Sequence, residues 1–466
     1  MKSVYINVYN KKIIDIILKN IQRFKIYSQG SSYRYLIENQ IDAIEIQKTD
    51  IHPNLNIILS LFRNEKNIPS LIIADTNEDD YLNKILIFAA TIKKLPIVTD
   101  EKMALKLNQT LEIFGDITED LKKELIYKNL MMLSYRLSKK SYEIFPYIFE
   151  DEITIPLKKI KDFKYGENPH QKASYYHSTL KTSINLNDTD ILNGELSFNH
   201  IIDISKIIRI LRDLKQNSII IMRHSNIVFA SINYDFKQII PYIDDKMLNS
   251  SIVAISGTIN NFDIINFLEE KRAEMLISTS FDDKIKDNLK KQSFRIKLLK
   301  IKLSTIDTPK EYEIINTGEN FLIQDSDTFI EEKLFSLSKN SYIPSDQQTN
   351  FALTILKNIK TFSSLCIVGN MLIAVSQSEP SPFESLQSLI TKIKVKMNNK
   401  NMIKLKGSMI VAFEGNLDEM ILDLIGNLHL DRLIITDKDA IKNYAEKLKK
   451  TSFDVLLTYK RHFRHF

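Results

Sequence analysis

The feature that most constrains this chain is the alternation, over its first hundred residues, of short apolar runs with longer helical patterns. SVYINVY reads as a strand, KKIIDIILKNIQRF as a helix with apolar residues at i, i+3 and i+4, and FKIYS as a second strand. SSYRYLIENQ reads as a short helix, IDAIEI and SLIIADT as strands, DYLNKILIFAATIKK as a helix, PIVTD as a strand and EKMALKLNQTLEIFG as a helix. Strands separated by helices of about 10–15 residues imply right-handed crossovers and a mostly parallel sheet. A long polar-faced helix, DITEDLKKELIYKNLMMLSYRLSKKSYEIF, follows. Its pattern gives way between Pro146 and Pro156, which predicts two domains, 1–148 and 149–466. The second again mixes strands (NSIIIMR, SSIVAIS, SLCIVG, GSMIVAF, DRLIIT, FDVLLTY) with helices and is long enough for two similar α/β layers. The fold class read here is α/β.

Composition narrows the function. Apolar content of 44% and charged content of 26% are those of a soluble globular protein. The net charge of +6 arises from 64 basic and 58 acidic residues mixed along the chain, with no basic stripe interleaved with aromatics. Nucleic acid is therefore not expected as a partner, whereas a small anionic substrate is compatible. A single cysteine, Cys366, excludes an intrachain disulfide framework and fits a reducing compartment. Neither a secretory leader pattern nor an apolar run of about 18 residues is found, so a cytoplasmic protein without a membrane partner is expected. No metal site is expected.

Four stretches concentrate unusual chemistry in a chain with only ten glycines. KYGENPHQKASYY (Lys164 to Tyr176) gathers Gly166, Asn168, Pro169, His170, Gln171 and three tyrosines. LNGELSFNHIID sets Ser197, Phe198, Asn199 and His200 before a helix, and SIIIMRHSNIVFAS ends a strand in Arg223, His224, Ser225 and Asn226. The chain finishes LLTYKRHFRHF. Polar residues at strand ends are where open α/β sheets bind ligands.

In order and spacing these stretches resemble the transformylase domain of the AICAR transformylase/IMP cyclohydrolase family of bifunctional purine biosynthesis proteins. That family carries R-Y-G-x-N-P-H-Q, G-K-x-L-S-Y-N-N, K-H-x-N-P-C-G and a terminal R-H-F-R-H. The resemblance implies an N-terminal methylglyoxal-synthase-like domain and a transformylase domain of two cytidine-deaminase-like subdomains. It implies formyl transfer from 10-formyltetrahydrofolate, as cosubstrate, to the ribotide AICAR, in a homodimer whose sites span the subunit interface. By the same resemblance His224 is the proton acceptor and Arg223 the oxyanion donor. Lys164, Tyr165, Gly166, Asn168, His170, Gln171, Asn199, Asn226 and Arg461 hold the ribotide, while Arg464 and His465 fit either the site or a solvated tail.

Several positions depart from the family pattern. Pro-Cys-Gly is replaced by Ile227, Val228 and Phe229, which removes a tight turn, and two glycines are replaced by Ser250 and Ser251. The folate-side motifs are shortened. Residues 1–145 resemble the cyclohydrolase domain more faintly, with Lys11, Ser28, Gly30, Ser32 and Asp80 matching its site. The tyrosine of that motif falls at Thr76 and a lysine at Ile92, so cyclisation to IMP is not expected to be efficient. The alternative expectation is a pseudo-enzyme that keeps a ribotide-phosphate pocket and acts as a sensor or partner subunit.

Overall fold

The computed structural model describes residues 2–46, 52–63, 68–75, 81–178, 189–214, 217–289, 294–303, 312–397, 407–436, 443–460 and 464. The chain divides into two compact units, Met1–Lys158 with Tyr176–Leu180, and Lys159–Tyr175 with Lys181–Phe466.

The first unit follows the alternation in the sequence: β1 (Ser3–Asn7), α1 (Lys12–Ile21), β2 (Lys25–Ser28), α2 (Gly30–Glu38), β3 (Ile44–Glu45), α3 (Pro53–Arg63), β4 (Leu71–Ala74), α4 (Tyr81–Ile92), β5 (Ile97–Val98), α5 (Glu101–Phe114) and α6 (Glu119–Ile144). Its five strands run in the order β3-β2-β1-β4-β5, every pairing parallel. Helices cover both faces of such a sheet, so its central strands are buried at their middles: Val4, Tyr5 and Ile6 of β1 and all four residues of β4 are buried. On α1, Ile13, Ile14, Ile17 and Ile21 form the buried stripe. Side-chain caps set the helix starts: Asp100 accepts from the Met103 N–H at 2.8 Å and Thr118 from the Leu121 N–H at 3.2 Å.

The second unit contains most of β6 (Leu157–Phe163) and the first half of β7 (Ala173–Ser178), then β8 (Asp190–Asn193), α7 (Phe198–Leu214), β9 (Ser218–Arg223), β10 (Asn226–Ile232), β11 (Ile252–Ile259), β12 (Met275–Phe281) and β13 (Lys297–Lys300). It continues with β14 (Tyr312–Asn316), β15 (Phe321–Asp325), β16 (Lys333–Ser336), β17 (Ser341–Pro344), the helix Gln347–Lys357, β18 (Ser364–Val368), β19 (Met371–Ser376), the helix Pro382–Met397, β20 (Met409–Phe413), β21 (Arg432–Ile435) and β22 (Asp454–Leu457). Among the described residues its main sheet has thirteen strands in the order β17-β16-β22-β21-β20-β18-β19-β10-β9-β11-β12-β13-β8.

That order contains one arrangement twice. In each half a helix (α7, or Gln347–Lys357) leads into an antiparallel hairpin (β9–β10, or β18–β19). A third strand pairs antiparallel with the first strand of the hairpin and opens a parallel run, β11-β12-β13 or β20-β21-β22. The halves meet where β10 runs antiparallel to β19, with Ser231 opposite Met371. The sheet is thus mixed, as expected for two similar layers fused side by side.

Candidate functional site

The turn between β9 and β10 is the two-residue pair His224–Ser225, closed by Arg223 pairing with Asn226. Both turn residues have positive φ, +47° and +62°, as a type I′ hairpin requires. Neither is glycine, and the left-handed region costs an L-residue roughly 1–2 kcal/mol, so the surroundings must hold the turn. Part of that hold is the Ser225 hydroxyl, which donates to Asp203 Oδ1 of α7 at 2.6 Å. The tight turn therefore lies two residues ahead of Ile227–Phe229, where its loss was expected, and β10 runs on through those residues with a bulge. His224 is exposed at the tip, and the exposed Arg223 donates through Nη1 to the Lys246 carbonyl at 3.2 Å.

Behind the turn lies a cavity of about 100 Å³ lined by Lys206, Arg209, Ser225 and Asn226 from one half-sheet and by Lys360, Gln377, Ser378 and Arg464, among others, from the second. On α7 the buried Ile204, Ile207 and Leu211 face the core, while Asp203, Lys206 and Arg209, at i, i+3 and i+6, share another stripe. Burial lowers the Lys206 ammonium pKa, with Arg464, Arg209 and Lys360 adding to the effect against Asp203. Burial and Arg464 likewise lower that of Arg209. Glu313 Oε1 lies 2.9 Å from Arg209 Nη1 and accepts from Arg464 Nη2 at 2.9 Å, while Gln324 donates to its Oε2 at 3.0 Å. Burial pushes the Glu313 carboxyl up, but the two arginines and Gln324 outweigh it and hold it below the usual carboxylate range. Arg464 is thus a cavity residue, its carbonyl also accepting from the Thr361 N–H at 2.8 Å.

The other predicted residues fall elsewhere. Lys164, Tyr165, Asn168, His170 and Gln171 are exposed on the loop between β6 and β7, around a buried Gly166. Much of that loop's hydrogen-bonding capacity closes the loop itself. The Gly166 N–H donates to the Gln171 carbonyl at 3.0 Å, the Gln171 N–H to the Asn168 carbonyl at 3.1 Å, and the Asn168 N–H to Gln171 Oε1 at 2.8 Å. Asn199 is exposed in the first turn of α7. None of these residues lines the cavity, and Arg461 and His465 lie outside the described residues. A larger groove of about 1190 Å³, lined by Phe329, Glu331, Tyr342 and Tyr459 among others, holds none of the predicted residues. Its buried Glu331 already accepts the N–H groups of Tyr459 and Lys460 at 2.8 and 2.6 Å.

Next to Asn199, His200 is structural. Its Nδ1 accepts the Ser197 N–H at 2.9 Å, the reciprocal bond of a capping box with imidazole in place of a carboxylate, and its Nε2 donates to Glu274 Oε1 at 2.8 Å. That hydrogen bond, with Lys297 at 3.3 Å, holds the Glu274 carboxyl near 2 against the effect of burial. A depressed carboxyl adds stability that is complete above its usual value near 4.5 and is lost as pH falls toward 2. Across that interval, urea midpoints of the native chain should fall further than those of Glu274→Gln. Parallel profiles would show that the pair does not form.

In the first unit, Lys11 Nζ donates to the Val8 carbonyl at 2.8 Å and to the hydroxyls of Ser31 and Ser32 at 3.2 Å, and burial lowers its pKa against Asp75. Ser28 is buried, its hydroxyl donating to the Ile6 carbonyl at 2.8 Å. Gly30 opens α2 at φ +57°, and no side chain caps that helix start. A cavity of about 480 Å³ reaches from Gly30 and Ser31 to Asn7, Gln29, His52 and Asn54. Of the predicted residues Gly30 lines this cavity, while Lys11 meets Ser32 outside its lining; unforeseen from sequence is a buried amide cluster in which Asn54 donates to Asn83 Oδ1 at 2.6 Å and Asn7 donates to the same oxygen at 2.9 Å. Beside it, the Asp75 carboxylate accepts the N–H groups of Tyr9 and Asn10 at 2.6 and 2.8 Å. Asp80 lies outside the described residues.

A parallel sheet in the first unit and a mixed sheet in the second, the latter with a cationic cavity behind the His224 turn, define an α/β protein. The chain belongs to the AICARFT/IMPCHase bienzyme family, which it matches over residues 89–392, more than half its length. It is similar to the bifunctional purine biosynthesis protein PurH of Caldicellulosiruptor saccharolyticus, 24% identical with 100% of both chains covered. PurH of Fusobacterium nucleatum is 23% identical, again with 100% of both chains covered. Among solved structures, ForH aligns with 31% of this chain and 94% of its own at 12% identity and a TM-score of 0.25, too slight a likeness to argue from.

Proposed function

We propose that this chain acts in purine nucleotide biosynthesis, transferring the formyl group of 10-formyltetrahydrofolate to the amino group of AICAR to give FAICAR. The observation that carries the reading is the β9–β10 turn, which presents His224 at its tip and opens Ser225 and Asn226 onto a cationic cavity. The arylamine nitrogen attacks the formyl carbon, a neutral imidazole takes the amine proton, and the C–N10 bond then breaks as that proton passes to the leaving nitrogen. Arg223 is the donor to the oxyanion formed on the way, planar and permanently charged. Lys164, Tyr165, Gly166, Asn168, His170, Gln171, Asn199, Asn226 and Arg461 hold the ribotide.

In this reading residues 1–148 are the cyclohydrolase-like, methylglyoxal-synthase-like domain. Residues 149–466 are the transformylase domain, its repeated half-sheets corresponding to two cytidine-deaminase-like subdomains. The protein works in the cytoplasm, and its single cysteine is buried. Among the described residues no helix is long and apolar enough to cross a membrane. The partner is a second copy of the chain, so that loop residues of one subunit complete the other's site. Its support is the exposed face of α4, where Tyr81, Ile85, Phe88 and Ile92 repeat at helical spacing. Sedimentation at micromolar concentration should give a dimer, and a monomer would remove the basis for a shared site.

A second reading has its own support. In the first unit Asp75 already occupies the N–H groups of Tyr9 and Asn10, and Lys11 is committed to Val8, Ser31 and Ser32. Cyclisation to IMP is therefore weak, and the unit is a ribotide-binding rather than a ring-closing module. Separate titrations of AICAR and a folate analogue, followed by a turnover assay, test both readings. AICAR binding with neither folate binding nor FAICAR formation would reject formyl transfer and leave a sensor or partner subunit.

A further inference from the structure

We propose that Lys206, Arg209, Lys360 and Arg464 form an oxyanion subsite, and that Glu313, which holds two of them from beside the cavity, competes for those arginines with the carboxylate or phosphate group of a ligand. This deepens the functional reading by naming the group that the cavity takes, and rests on that reading only for the rest of the ligand.

Charge is the first argument. Four cations surround the cavity and two carboxylates oppose them, of which Asp203 accepts the Ser225 hydroxyl. Among the described residues neither Lys206 nor Lys360 makes an ion pair, so positive charge remains after Glu313 is counted. Size is the second. About 100 Å³ stands open beside the four cations with Glu313 in place, room for one small oxyanion group.

Geometry is the third argument. Both guanidiniums engage the same Glu313 oxygen, Oε1, at 2.9 Å, while Oε2 takes only the neutral Gln324 amide at 3.0 Å. A guanidinium fork binds best through two parallel N–H···O bonds, so an incoming carboxylate or phosphate offers each arginine more than Glu313 does. Finally, Glu313 is carried on β14, which pairs only with β15 among the described residues. Withdrawing that two-stranded ribbon breaks no pairing in the main sheet. Anion binding and the Glu313 contact are therefore alternatives, with the ribbon's position setting the choice.

The test is titration calorimetry on the full chain with inorganic phosphate in one arm and glutarate in the other. Glu313→Gln keeps the side-chain shape and removes the competing charge. It should tighten binding of the preferred anion by about tenfold, with a steep loss of affinity as salt is raised. Adding Lys206→Gln to that variant should erase the gain. Phosphate and glutarate distinguish a tetrahedral from a planar ligand group, and no gain for either overturns the proposal. If Glu313→Gln does not fold, Lys206→Gln and Lys360→Gln in the otherwise native chain decide the matter. Each must weaken anion binding several-fold, and unchanged binding overturns the subsite. Since the readout uses inorganic phosphate and glutarate, an anion gain without formyl transfer would count against the functional reading alone.

Discussion

Replacing His224 with alanine should lower formyl transfer by about 10²–10⁴-fold, the usual contribution of a positioned general base, while AICAR affinity stays within a few-fold. The residue sits at φ +47°, so alanine also removes whatever the side chain contributes to the turn. Asparagine separates the two effects. It tolerates the left-handed region better than most residues yet offers no proton acceptor near neutral pH. His224→Asn should therefore match alanine in lost turnover and exceed it in thermal stability. If turnover survives in both variants, the amine proton is taken by another group.

The largest stability effect is expected at Asp213. Its carboxylate lies 3.0 Å from Lys357 Nζ, with side-chain exposures of 6% and 2%. The ammonium is not hydrogen-bonded in the strict sense, so the contact is chiefly electrostatic. Asn358 Nδ2 adds a long bond to the same oxygen at 3.4 Å. Asp213→Ala leaves a buried ammonium uncompensated and should cost about 3–5 kcal/mol, read from urea denaturation. Replacing both partners, as Asp213→Leu with Lys357→Met, removes the uncompensated charge and should return stability close to that of the native chain. A single substitution costing under about 1 kcal/mol would mean that water reaches the pair. The pair also ties the end of α7, which carries Lys206 and Arg209, to the helix Gln347–Lys357, which runs on toward Lys360. Asp213→Ala should therefore disturb the cavity as well as the core.

The parallel sheet of the first unit was legible because each strand is a short apolar run between amphipathic helices, and the period changes cleanly from one to the other. The His224 turn was not. Type I′ hairpins announce themselves through Asn-Gly or Gly-Gly, and Arg-His-Ser-Asn carries no such signal. Ser250 teaches the same lesson. It stands where the family has glycine, yet it holds φ +56°, a conformation glycine adopts at little cost. Lys206 and Arg209 were invisible as cavity residues, since basic residues on a helix usually read as a solvated face. The carboxylate that meets Arg209, Glu313, lies about a hundred positions further on. The dense run from Lys164 to Tyr176 was read, by resemblance, as holding the ribotide. What sequence could not reveal is that Gly166, Asn168 and Gln171 use several of those groups on one another.

The join between the half-sheets has a further consequence. That border sets Ser231 opposite Met371, and beside them the Ile232 N–H donates to the Asn370 carbonyl at 3.0 Å. Because each half supplies part of the cavity wall, a slide of even a fraction of a residue along that border would reshape the chamber without unfolding either half. The doubled architecture thus makes the chamber depend on how its two halves meet, and substitutions at Ser231 or Met371 should alter its shape from a distance.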